Sequence, residues 1–368
     1  VAFPLVITCT SIALMCGIGG AANFNLCMGR REKNEAASFA GNAITMLFSL
    51  GVILCIVTRL FLKPMMILFG ATSSVLNYSL TYTGITSLGF PFLILTTGGT
   101  NLVRADGSPK FSMACTLTGA IINTILDPTL IFGFHMGISG AAIATVCGQI
   151  CGALLAFAFN IKVNTDINLN IKGFRPNKKI IGTIYSVGVP SIVMQAIGSV
   201  MTFGMNKILI QFTSTATAVF GVYFKLNSFI FMPIFGLNNG MVPIVAYNYG
   251  AKNKKRITHT IRLSIVSAIC IMLLGLALFM IFPAQLLGSM LQIGVPALRI
   301  ICLSFTFAGF CIVVGSVFQA LGNGIYSLII SATRQLLIIL PVAALLAKLG
   351  GLSAVWWAIP IAEIASVL

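Results

Sequence analysis

Residues 248–256 read NYGAKNKKR and residues 27–35 read CMGRREKNE, each a glycine followed by a burst of positive charge between two long apolar runs. Setting Gly29 on Gly250 lays the flanking runs over one another. The match continues downstream: RADGSPKFS (104–112) falls on QALGNGIYS (319–327), and MGISGAAIATV (136–146) on LGGLSAVWWAI (349–359). The chain is two copies of one unit. So long a period excludes solenoids and propellers, whose repeats run to about 20–50 residues.

The unit is built for lipid. Hydrophobic residues make up 58% of the 368 and charged residues 8%, with a mean hydropathy of +1.04, where soluble domains carry roughly 25% charged residues. A helix needs about 20 apolar residues to cross a bilayer. The spacing predicts eleven such helices, near 1–27, 37–61, 75–103, 111–134, 138–160, 180–212, 216–247, 257–282, 296–321, 326–348 and 352–368. The alternating segments of about ten residues that mark lipid-facing β-barrels are absent. The expected fold is all-α and integral to the membrane, two six-helix bundles in parallel repeat. The first lobe spans 1–160, a polar linker 161–179, and the second lobe 180–368.

A net charge of +16 invites a nucleic-acid reading, which its distribution rejects. Arg30, Arg31 and Lys33, then Arg104 and Lys110, then Lys162 to Lys179, then Lys252, Lys254, Lys255 and Arg256 cluster on alternate connections, while 134–140, 212–218 and 282–294 carry no Lys or Arg. This is the positive-inside pattern of a multi-pass protein of the cytoplasmic membrane, with its basic loops in the cytoplasm. It also puts residue 1 outside, and the helix at 180–212 has no counterpart in the first copy. Both point to an architecture of six plus six helices whose first helix precedes this sequence and whose last is cut short.

Catalytic chemistry has no foothold. His135 and His259 fall at helix ends, no two acids sit close enough for acid–base work, and no phosphate-cradling glycine loop is present. Ten cysteines lie within the apolar runs without metal or disulfide spacing, and read as small core hydrophobes. No cofactor is expected.

Of six acids, Glu32, Glu35, Asp106 and Asp166 lie in basic connections; Asp127 and Glu363 lie in apolar runs. An ionisable residue at membrane depth marks function by default. Asp127 has Asn123 four residues before it, on the same helix face, and Pro128 after it. Proline frees a backbone carbonyl, and a break of that kind is tolerated where it lines a cavity. A carboxyl buried there is costly to ionise, as a proton-coupling site requires. Glu363 marks a second polar site or pairs with Arg334 or Lys207. Met194, Gln195, Met201, Met205, Tyr223, Asn227 and Phe231, on the helices at 180–212 and 216–247, mix methionine, aromatic and amide side chains suited to an adaptable pocket for flat organic cations.

CMGRREKNEAASFAGNA (27–43), IINTILDPTLIFGFHMGISGAAIATVCGQ (121–149) and the run from GVPSIVMQAIGSV (188–200) to NNGMVPIVAYNYGAKNKKR (238–256) resemble the multidrug and toxic compound extrusion (MATE) family, closest to its bacterial multidrug-efflux branch. The resemblance covers essentially the whole chain. It implies a twelve-helix, monomeric antiporter that exports small organic cations such as drugs and dyes in exchange for H+ or Na+, with no nucleic-acid partner. It also implies a cation site of Asn123, Asp127 and Thr145, completed by an acid on the preceding first helix. Acids that some branches carry on the seventh and tenth helices are absent here. A flippase for lipid-linked sugars, of related architecture, is the alternative; it would need Lys or Arg in its cleft, for which only Lys207, Lys225 and Arg334 are available.

Overall fold

A computed structural model describes residues 2–69, 71–162, 176–283 and 291–367. The helices are α1 (Phe3–Gly29), α2 (Lys33–Leu60), α3 (Leu62–Leu68), α4 (Ser73–Thr86), α5 (Phe90–Ala105), α6 (Pro109–Pro128), α7 (Gly137–Lys162), α8 (Lys178–Leu209), α9 (Ser214–Gly250), α10 (Lys254–Ile281), α11 (Leu291–Cys302), α12 (Phe305–Ala320), α13 (Gly324–Ala332), α14 (Leu340–Val355) and α15 (Ala358–Val367). Among the described residues nine helical stretches are long and apolar enough to cross a membrane. A tenth is the pair at Gln292–Cys302 and Phe305–Ala320, bent by 50°. With the shorter apolar helix α15, these cover all eleven expected spans. The linker lies mostly outside the described residues.

The two copies share their turns to the hydrogen bond. After α1 the Glu32 amide donates to the Cys27 carbonyl, and after α9 the Asn253 amide donates to the Asn248 carbonyl. After α5 and α12 the same closure runs from Ser108 to Val103 and from Asn323 to Phe318. Each is a helix end capped by one residue in the left-handed region: Arg31 (φ 65°), Lys252 (φ 55°), Gly107 and Gly322 (both φ 83°). Glycine adopts that conformation freely at the latter two.

Both copies also break one span at the same place. A 3-10 turn at Ser87–Gly89 separates α4 from α5, and Leu303 and Ser304 separate α11 from α12. A serine hydroxyl donates back to the carbonyl three residues earlier at each break: Ser87 to Gly84 at 2.9 Å and Ser304 to Ile301 at 2.7 Å. Such back-bonding competes with the helical ladder and bends it.

The chain divides into two compact units, Val1–Ile192 with Gly250–Lys252, and Val193–Tyr249 with Asn253–Leu368. The division falls within α8, since Ile184 belongs to the first core together with Phe24, Leu47, Met66 and Ile94. The second core gathers Phe220, Phe279, Phe305, Met205 and Trp356, all at most 1% exposed. All ten cysteines are free; six are buried, whereas Cys55, Cys147 and Cys151 are half-buried and Cys270 is exposed on an apolar helix, where lipid accepts a thiol as readily as a core does. Arg59, at the end of α2, and Lys63, in α3, interrupt the alternation of basic and neutral connections.

Candidate functional site

In the first unit, α6 presents a stripe of exposed side chains four residues apart, Met113, Leu117, Ile121 and Ile125, the lipid-facing pattern of a peripheral helix. Its opposite side packs on α7, and two glycines set the separation. A Cβ added to Gly148 would lie 2.6 Å from the Gly119 carbonyl oxygen and 3.2 Å from the Asn123 Cβ; one added to Gly119 would lie 2.9 Å from the Gly148 carbonyl oxygen. Backbones that meet this closely bring short polar side chains of the two helices within reach of each other.

Three of the predicted residues meet there. The Asn123 amide Nδ2 donates to Asp127 Oδ1 at 3.4 Å and to Thr145 Oγ1 at 3.5 Å. The Thr145 hydroxyl gives its own proton to the Ala141 carbonyl at 2.9 Å, so toward Asn123 its oxygen acts as an acceptor. Both amide bonds are long, leaving the three groups loosely tied. Asp127 is half-buried, not enclosed as the sequence had suggested, because α6 has few neighbours beyond α5 and α7. Among the described residues no basic side chain pairs with it.

The helix ends at this carboxylate for a local reason. Pro128 has no amide proton, so the Thr124 carbonyl loses its helical donor. The backbone widens into a π turn at Thr129–Gly133, closed by the Phe134 amide on the Thr129 carbonyl. Short π segments inside α-helices recur at functional sites.

The remaining predicted residues lie in the second unit. Met205 and Tyr223 are buried in its core, with Met201 and Phe231 packed against it. Phe231 meets Phe305 edge-on, with ring centroids 5.8 Å apart, and Met194 Sδ accepts from the Ser327 hydroxyl at 3.4 Å. Asn227 Oδ1 is buried without a hydrogen-bond partner. The Gln195 side chain lies outside the described residues. Of the partners weighed for Glu363, the structure selects Arg334: its Nη1 lies 3.0 Å from both carboxylate oxygens. Lys207 instead sits over the Phe203 ring, 5.6 Å from its centroid.

Sequence reading passed over the pair Gly119 and Gly148, although Gly148 opens the string GQICG (148–152), the small-residue spacing that lets membrane helices approach. Gly148→Val is expected to force α6 from α7, cost about 1–3 kcal/mol of stability as overpacking does, and separate Asn123 from Thr145. Melting of the purified protein in detergent reads the loss; a melting point unchanged within a degree would show that the contact is slack.

Comparison with known proteins gives one answer. The MatE sequence profile matches residues 1–129 and 190–345. The multidrug export protein MepA of Staphylococcus haemolyticus is 30% identical over 360 residues, covering 94% of this chain and 78% of the relative; MepA of Staphylococcus aureus is 29% identical over 353 residues at the same coverage. A crystal structure of a MATE protein in its bent conformation superposes with a TM-score of 0.93 at 24% identity, over 99% of this chain and 83% of the other. An outward-facing multidrug resistance MATE transporter superposes at 0.90, with the same identity and coverage. The chain belongs to the MATE family, on its MepA-like branch.

Proposed function

We propose that the chain is a multidrug efflux antiporter: it exports organic cations in exchange for H+ or Na+ taken up at Asn123, Asp127 and Thr145, as its lobes, 1–160 and 180–368, rock about a central cleft. The observation that carries this reading is the half-buried Asp127 carboxylate at a broken membrane helix, with an amide and a hydroxyl at hand and, among the described residues, no basic side chain paired with it. A carboxylate so placed can take either a proton or a small metal cation. Turning the Asn123 amide over would set three oxygens from three residues around one point, the hard donor set that Na+ prefers.

Each net charge carried inward per cycle through about 100 mV yields about 2.3 kcal/mol, enough for roughly fifty-fold accumulation. A one-for-one exchange against a monovalent organic cation moves no net charge and draws on the ion concentration gradient instead. The protein works as a monomer in the cytoplasmic membrane with its basic loops, including the linker at 161–179, inside. Substrate recognition falls to the methionine- and aromatic-rich α8 and α9, at Met194, Gln195, Met201, Met205, Tyr223, Asn227 and Phe231. The flippase alternative loses ground because two of its three candidate cations are already engaged, Arg334 by Glu363 and Lys207 by Phe203.

Ethidium transport in liposomes carrying the full-length protein tests this. Export driven by an imposed proton or sodium gradient is the expected result and identifies the coupling ion. Absence of ethidium flux under both gradients moves the reading to the flippase or to a different substrate class.

A further inference from the structure

The second unit carries its own intramembrane carboxylate, and the repeat gives it a meaning. The helix opened by RADGSPKFS in the first copy is α6, and its counterpart opened by QALGNGIYS is α13 with its π continuation Thr333–Ile339; likewise α7 corresponds to the segment that ends in α15. Both units therefore bridge the same pair of helices with polar side chains around one acid. In the first unit the acid is Asp127, on the first helix of the pair, with no basic partner among the described residues. In the second it is Glu363, on the second helix, 7% exposed and joined to Arg334 on the first.

Three details make this pair more than a surface contact. Arg334 stands within a π turn, which reorients side chains relative to a regular helix. It offers one nitrogen, Nη1, to both Glu363 oxygens, while its Nε is buried without a partner; the two-pronged fork that arginine makes at its strongest is not formed. Tyr223, buried in the core of this unit, lies within electrostatic reach of both charges.

We propose that Arg334 is a built-in counter-cation. It occupies, beside Glu363, the role that an exchangeable cation takes beside Asp127, so the second unit's acid is withheld from ion exchange and each chain couples through the first unit alone. This rests on the reading of Asp127 given above. It implies that Glu363, once freed of arginine, is a site for a small monovalent cation, guanidinium above all.

Melting of the purified full-length protein tests the site without transport. Arg334→Ala is expected to melt below the wild type and to regain most of the difference in millimolar guanidinium, but not in equal potassium; wild type and Arg334→Ala/Glu363→Ala should not respond. Should Arg334→Ala be recovered only as aggregate, guanidinium present during extraction is expected to restore folded protein. No guanidinium effect in either form overturns the proposal.

In liposomes, ethidium export by the wild type is expected to depend on proton or sodium concentration with a Hill slope of about 1, and by Arg334→Ala with a slope moving toward 2 as a second acid opens. Loss of wild-type cation dependence on Glu363→Gln would make Glu363 an exchange site and overturn the proposal. Retained dependence in Asp127→Asn would reject the underlying reading of Asp127, leaving the guanidinium result to stand or fall alone.

Discussion

Asp127→Asn is expected to abolish gradient-driven export while leaving the amount of inserted protein unchanged. The amide is nearly isosteric with the carboxylate and can still accept from Asn123, so the α6–α7 contact, set by Gly119 and Gly148, survives. What disappears is the ability to carry a proton or a countercharge, and with it the work that the cation gradient does on each exchange. Without coupling, accumulation falls to the level of passive equilibration. Ethidium efflux normalised to protein in the membrane is the measurement. Export retained at even a tenth of the wild-type rate would remove Asp127 from the coupling step.

Glu363→Leu should cause the largest loss of stability of any single change in the second unit. Removing one partner of a buried ion pair leaves the other charge uncompensated, which costs about 3–5 kcal/mol. Arg334, with its Nε already unpartnered, has no other acid within ion-pair range among the described residues. The double variant Arg334→Met/Glu363→Leu replaces both charges with apolar groups and is expected to recover most of that loss, since well-packed substitutes for buried pairs are often neutral. Denaturation of the four proteins in a thermodynamic cycle gives the coupling directly. A single variant as stable as the double would mean that water, not Glu363, satisfies Arg334.

Much of this was legible before any coordinates, because membrane insertion writes itself into composition. Apolar runs led to eleven expected spans, of which, among the described residues, ten are long enough to cross when the bent pair counts as one and the eleventh is the short helix α15. The four-residue spacing put Asn123 and Asp127 on one helix face, whereas Thr145 came only from the family resemblance. Less visible were features that depend on backbone approach. Nothing local in the sequence distinguishes Ser304, which bends its helix, from Ser316, which also bonds back to a carbonyl, at Ile312, inside an unbroken one. Nor could the sequence choose between Arg334 and Lys207 for Glu363, because the choice follows from the π turn at Thr333–Ile339. The boundary inside α8 was equally hidden, since a single apolar helix shows no seam where its packing partners change.

The shared turns bear on how such a chain comes to exist. Arg31 and Lys252 both hold the left-handed conformation, which costs a side-chain-bearing residue roughly 1–2 kcal/mol, and they do so at matching places while the groups lining the two equivalent grooves have parted, an open acid on one side and a neutralised one on the other. A tandem gene duplication leaves this trace: the corners, which route the backbone, stay fixed, and the interiors drift toward separate duties. Distant members of such a lineage are therefore better aligned by their ladder of left-handed corners than by residue identity.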